Sequence, residues 1–174
     1  MKPVPDALQA LSRSQSGLVT RQQAKQHGLD SRSVSRRVDN GLWFFVTDRV
    51  IATAIGELTR QQRIWAASLH FSNHALTGTA ALELDGFKPT WRIAVNRIDL
   101  VGPRGGRQSP LNQCYLHTSR RPIILAESLP NRTTPTISAL NAMAWSNSLT
   151  QAVGVATFVI QRELSTLSDM YAAI

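Results

Sequence analysis

The sequence predicts an α+β chain built in two parts. Three observations carry this. Residues 1–54 contain three short capped helical segments followed by a single hairpin pattern. Residues 55–174 alternate helical periodicity with β-prone runs. The 174-residue length, with 43% hydrophobic residues, suits one ordinary domain or two small ones with real cores.

The elements follow in order. Pro5 precedes a first helix over Asp6 to Ser12, with Leu8 and Leu11 inward, and Ser14-Gln-Ser-Gly17 breaks it. Leu18-Val19 lead into Thr20-Arg-Gln-Gln23. This spacing is a capping box, in which the Thr20 hydroxyl takes the amide of Gln23 and the Gln23 side chain reaches back. The second helix runs through Ala24 to His27 and stops at Gly28. Asp30 or Ser31 caps a third helix that ends at Asn40-Gly41. At about 100° per residue, Val34 and Val38 fall on one face of it. Arg32, Ser33 and Arg36 fall on the opposite face, with Arg37 on the flank.

Leu42 to Val46 is β-prone, Thr47-Asp48-Arg49 is a turn, and Val50 to Ala52 returns as a second strand. Three helices and a hairpin form a winged helix-turn-helix plan. An aliphatic inner stripe with an Arg/Ser outer stripe is what a recognition helix needs, because guanidinium groups reach guanine edges or phosphate and serine lets the backbone approach. The residues expected at DNA are Arg21, Ser31, Arg32, Ser33, Arg36, Arg37 and, at the wing tip, Arg49. Trp43 and the two phenylalanines after it are expected to pack the hairpin onto the helices.

The second part, residues 55–174, reads as a mixed domain. Thr59 to Gln62 is another capping box, opening a helix with Ile64, Trp65, Ser68 and Leu69 inward. Thr79 to Leu84 is a short helix stopped by Gly86. Trp91 to Val95 and Cys114 to Thr118 are strands, joined through the basic loop Gly102 to Gly106, with Ile123 to Leu125 as a third strand. Thr134-Pro135 opens a helix with Ile137, Leu140, Met143 and Ala144 inward. A further helix over about 149–164 turns Val153, Ala156, Val159 and Ile160 inward, and a last one holds Leu167, Met170 and Tyr171.

Charge gives the functional clue. Nineteen cations against eleven anions leave a net charge of +8, and 16 of the cations are arginine. Residues 1–50 carry +4 and residues 91–132 carry +5, while 51–90 and 133–174 sum to 0 and −1. Two basic blocks separated by neutral ones suit a polyanion. In the second block Arg97, Arg104, Arg107, Arg120 and Arg121 form a second basic patch, which either extends a DNA footprint, meets an acidic or RNA-bound partner, or is solvated loop charge.

Several classes are excluded. No apolar run is long enough for a membrane helix, and no cationic-then-apolar leader opens the chain. The single cysteine, Cys114, can form neither an internal disulfide nor a Cys-rich zinc site, so a cytoplasmic protein is expected. His70 and His74 have i,i+4 spacing but lack a third ligand at usual spacing; His117 has no partner identifiable from sequence; Asp48, Asp85 and Asp99 are scattered in turn positions. There is no phosphate-binding glycine fingerprint and no nucleophile elbow. No enzyme activity, cofactor or metal is expected.

Leu11 to Ala24, His27-Gly-Leu29, Arg36-Arg37 and Gly41-Leu-Trp43 resemble the N-terminal domain of AbiEi-type antitoxins of type IV toxin–antitoxin (abortive infection) systems. The likeness continues through Leu58 to Ala67 and Thr79 to Gly86, and more faintly through Thr133 to Leu140. It departs from the family at the wing, where Asp48-Arg49 and Val50-Ile51 stand in place of the usual glycine and following tyrosine, and at Asn141, often aspartate in relatives. Longer relatives carry a C-terminal nuclease domain; no such domain is expected here, and nuclease activity is not carried over. The resemblance implies an antitoxin that binds operator DNA and represses its own operon through the first domain. It also implies that the second domain protects against a nucleotidyltransferase toxin. The alternatives are a solitary DNA-binding module and a metal-dependent enzyme centred on His70 and His74.

Overall fold

The computed structural model describes residues 3–89, 96–103, 110–120 and 122–174. The chain is α+β and divides into two compact units, Met1–Ser72 and Asn73–Ile174.

The first unit is a winged helix-turn-helix. Its order is α1 (Asp6–Ser14), β1 (Leu18–Thr20), α2 (Arg21–Gln26), α3 (Ser31–Asp39), β2 (Phe44–Phe45), β3 (Val50–Ala52) and α4 (Arg60–His70). β3 is the central strand, antiparallel to β1 (Val19↔Ile51) and to β2 (Phe45↔Ile51). The expected hairpin is present. β1 is an addition, because an apolar Leu-Val pair reads equally well as a lead-in loop when its partner lies more than thirty residues away.

The strand period of two explains the core. Val19 and Ile51 point to one face of the sheet and pack with Leu8, Ala24, Leu29, Val34 and Trp43. Leu18, Val50 and Ala52 point to the other and pack with Trp65 and Ala66 of α4. The sheet is thus covered on both faces, and α4 belongs to the first unit. The sequence places the boundary at 54/55, whereas the compact units meet at Ser72/Asn73. The expected capping boxes form at Thr20/Gln23 and Thr59/Gln62, each worth about 1 kcal/mol. Gly28 turns the chain from α2 to α3 at φ +79°. Its N–H donates to the Lys25 carbonyl and that of Leu29 to the Ala24 carbonyl, closing α2 as a Schellman motif.

The second unit contains β4 (Ala75–Thr77), α5 (Gly78–Glu83), β5 (Ile98–Pro103), β6 (Cys114–Ser119), α6 (Pro135–Ala144), α7 (Leu149–Gln161) and α8 (Leu167–Ala172). Its sheet has the order β4-β5-β6, with β4 antiparallel and β6 parallel to β5. Leu82, Phe87, Ala139, Ala142, Val155, Val159 and Met170 form the core, with Phe158 tilted on Phe87 at 4.9 Å.

Several details differ from the sequence expectation. Ile123 to Leu125 is not a strand; Leu125 makes one isolated bridge to Thr133. α6 buries Ser138, Ala139 and Ala142, with Leu140 and Met143 only partly covered and Ala144 exposed. Small residues win the inner stripe because α6 lies close against α5. α7 buries Val155 and Val159, leaving Val153 and Ile160 outside. Leu167 and Tyr171 are exposed and Met170 alone of that trio is buried. Asp99 is a buried strand residue, not a turn residue. The strand expected at Trp91 to Val95 and most of the loop at Gly102 to Gly106 lie outside the described residues.

Candidate nucleic-acid interface

The third helix is built as the sequence requires. Asp30 caps it, its carboxylate accepting from the Ser33 amide at 2.7 Å. Gly41 closes it, the Leu42 amide returning to the Arg37 carbonyl at 2.9 Å. Val34 is buried and Val38 half-buried against the core. Ser31, Arg32 and Arg36 are exposed, and Ser33 is half-exposed. Arg32 and Arg36, one turn apart, therefore project from one solvent-facing stripe.

Arg37 is the correction. It is 2% exposed and turns inward. Its guanidinium donates to the Ser33 carbonyl at 2.8 Å and lies 5.2 Å over the Trp43 ring. The helical wheel puts it only about 60° from Val34, and its aliphatic stem lets it join the core edge while its charge finds backbone and aromatic partners. It braces α3 against the start of the hairpin.

The wing is the β2–β3 hairpin. Its turn is held by the Thr47 hydroxyl, which accepts from the amides of Arg49 (3.1 Å) and Val50 (3.0 Å). Trp43 is buried as expected, but Phe45 is exposed and carries the Arg21 guanidinium 4.1 Å above its ring. The Arg21 amide also donates to the Arg49 carbonyl at 2.9 Å. The first residue of α2 and the wing turn are thus fastened together, with exposed Arg21 and Arg49 side by side in the backbone.

Four exposed arginines and a serine-rich helix face beside a wing form a surface suited to phosphate and base edges. Residues 6–44 match a family described as "Transcriptional regulator, AbiEi antitoxin". The AbiEi match runs from the first residue of α1 to the first residue of β2. It includes Arg21, Ser31, Arg32, Ser33, Arg36 and Arg37; Arg49 and the motifs read at 58–86 and 133–140 lie beyond it. No curated protein matches the chain.

The second basic patch is only partly visible. Arg104, Arg107 and Arg121 lie outside the described residues. Arg120 is exposed. Arg97 is not an open cation: it forks onto Asp99 at 2.8 and 2.9 Å and lies over the Tyr115 ring at 4.6 Å. Asp99 also meets His117 Nε2 at 2.7 Å, and the His117 imidazole stacks on Trp145 at 3.8 Å, 8° from parallel. This cluster had no signal in the sequence, because parallel pairing of β5 and β6 and the end of α6 bring its members together.

His70 and His74 serve separate local roles. His70 Nδ1 contacts the Thr47 hydroxyl at 3.1 Å and lies 3.6 Å from Asp48. His74 is buried, its ring filling the space above Gly102, and burial lowers its pKa. Among the described residues no three His, Cys, Asp or Glu side chains gather as a metal site. No helix among them is long and apolar enough to cross a membrane.

Proposed function

We propose that the chain is a sequence-specific DNA-binding transcriptional regulator. In this reading it is the antitoxin and autorepressor of an AbiE-type operon, acts in the cytoplasm and is not an enzyme. The observation that carries the reading is α3. It is capped at both ends, seated on the core by Val34 and Val38, and presents Arg32 and Arg36 to solvent beside a wing bearing Arg49. Helix three enters the major groove of operator DNA, with Arg32 and Arg36 on guanine edges or phosphate, Ser31 and Ser33 on the backbone, and Arg21 and Arg49 on flanking phosphate. The second unit carries protection against a nucleotidyltransferase toxin encoded beside it, a role that rests on the family likeness.

The test is an electrophoretic shift on the protein's own upstream DNA, against an unrelated duplex of equal length. Specific retardation that weakens steeply with salt is expected, because each neutralised phosphate releases counterions. Equal retardation of both duplexes would count against sequence-specific reading.

A further inference from the structure

The second unit holds a groove of about 720 Å³ that takes no part in the DNA reading above. That volume lies within the range of small-molecule sites, roughly 300–1,000 Å³. Ile123, Ile124 and Ile137 give it an apolar lining, and Ile124 stands 59% exposed. His117, Arg120 and Asn141 line the same space.

The polar lining residues His117 and Asn141 are organised in advance. The Asp99 carboxylate, 3% exposed, grips His117 Nε2, while the flat face of the imidazole rests on Trp145. His117 Nδ1 has no partner among the described residues. The Asp99 charge is answered by the Arg97 fork beneath it. Among the described lining residues Arg120 is the one lysine, arginine, aspartate or glutamate. The Asn141 amide is likewise held in place, its Nδ2 donating to the Thr77 hydroxyl at 2.8 Å.

We propose that this groove binds a small amphipathic carboxylate. The hydrocarbon body lies along Ile123, Ile124 and Ile137, and the carboxylate meets the Arg120 guanidinium, with the His117 imidazole beside it. Charge complementarity to Arg120 selects an anion, and the isoleucines that share the lining select one with a hydrophobic body. Asp99 and Trp145 are positioning residues that fix the imidazole.

The experiment titrates the full chain with 1-anilinonaphthalene-8-sulfonate, a fluorescent aromatic anion, and then competes it with octanoate or with uncharged octan-1-ol. One saturable site is expected, displaced by octanoate far better than by octan-1-ol. Arg120→Gln should weaken octanoate about tenfold, a loss of one charge-assisted contact. Arg120→Lys should recover part of it, and Ile137→Trp, which fills the groove, should remove binding while the melting temperature stays near the parent's. Non-saturable dye binding, equal displacement by acid and alcohol, or an affinity unchanged in both Arg120→Gln and Ile137→Trp would overturn the proposal.

Discussion

His70 Nδ1, in the last turn of α4, lies 3.1 Å from the hydroxyl of Thr47 in the wing turn. That hydroxyl already accepts from the amides of Arg49 and Val50, so its one proton is left for the imidazole, and Nδ1 is the acceptor. A helix after the winged unit's hairpin therefore helps hold the shape of the wing. His70→Phe keeps a ring of similar size and removes the acceptor. It should cost about 1–2 kcal/mol in urea unfolding and weaken operator binding through a looser Arg49. Unchanged stability in this variant would mean that the contact does not support the turn.

Arg32, Arg36 and Arg37 are near neighbours in sequence but should behave differently. Replacing Arg32 and Arg36 together with alanine should weaken operator binding by about 2–4 kcal/mol and leave the unfolding midpoint unchanged. Arg37→Ala should do the reverse in stability, costing roughly 1–3 kcal/mol through lost packing on Trp43 and the lost bond to the Ser33 carbonyl. Urea melts and shift assays on both variants separate the roles.

The domain division predicts which fragment folds. Residues 1–72 retain Trp65 and Ala66 over Leu18, Val50 and Ala52, and should unfold cooperatively. Residues 1–56 leave that sheet face bare and should not. In the full chain Trp65→Ala should cost roughly 3–5 kcal/mol. Cooperative melting of the 1–56 fragment would show that α4 is dispensable.

Acid should weaken the fold through His74. Burial holds its pKa below the ordinary 6.5, so the unfolded chain takes up a proton at a pH where the folded chain does not. Between the lowered value and 6.5 the unfolded state binds more protons, and stability falls as pH drops through that window. Above 6.5 the effect is absent. His74→Gln should flatten this part of the stability–pH curve, which urea midpoints at about pH 7.5 and about pH 5.5 will reveal.

Gly102 should resist substitution. A Cβ there would overlap the His74 imidazole, which is itself buried. Gly102→Ala should cost roughly 1–3 kcal/mol as overpacking, and a smaller side chain in a Gly102→Ala/His74→Ala double variant should recover part of it. Thermal melts of the single and double variants test the pairing.

Much of the first unit was determined by sequence alone. Thr20/Gln23, Asp30, Gly28 and Gly41 fix α2 and α3 through bonds that span a few residues, so spacing suffices to read them. The outward set of Arg32 and Arg36 follows from helical periodicity in the same way. The tertiary structure decided the rest, because it depends on partners distant in the chain. β1 becomes a strand only when β3 returns beside it, and α4 joins the first unit because the second sheet face needs cover. Arg37 leaves the surface because Trp43 offers its ring, while Val153, Ile160 and Ala144 stay outside because each apolar helix must share a limited core. The Asp99–His117–Trp145 cluster is the clearest case. Its three residues sit on two parallel strands and the end of a helix, and no local pattern records that the fold brings them together.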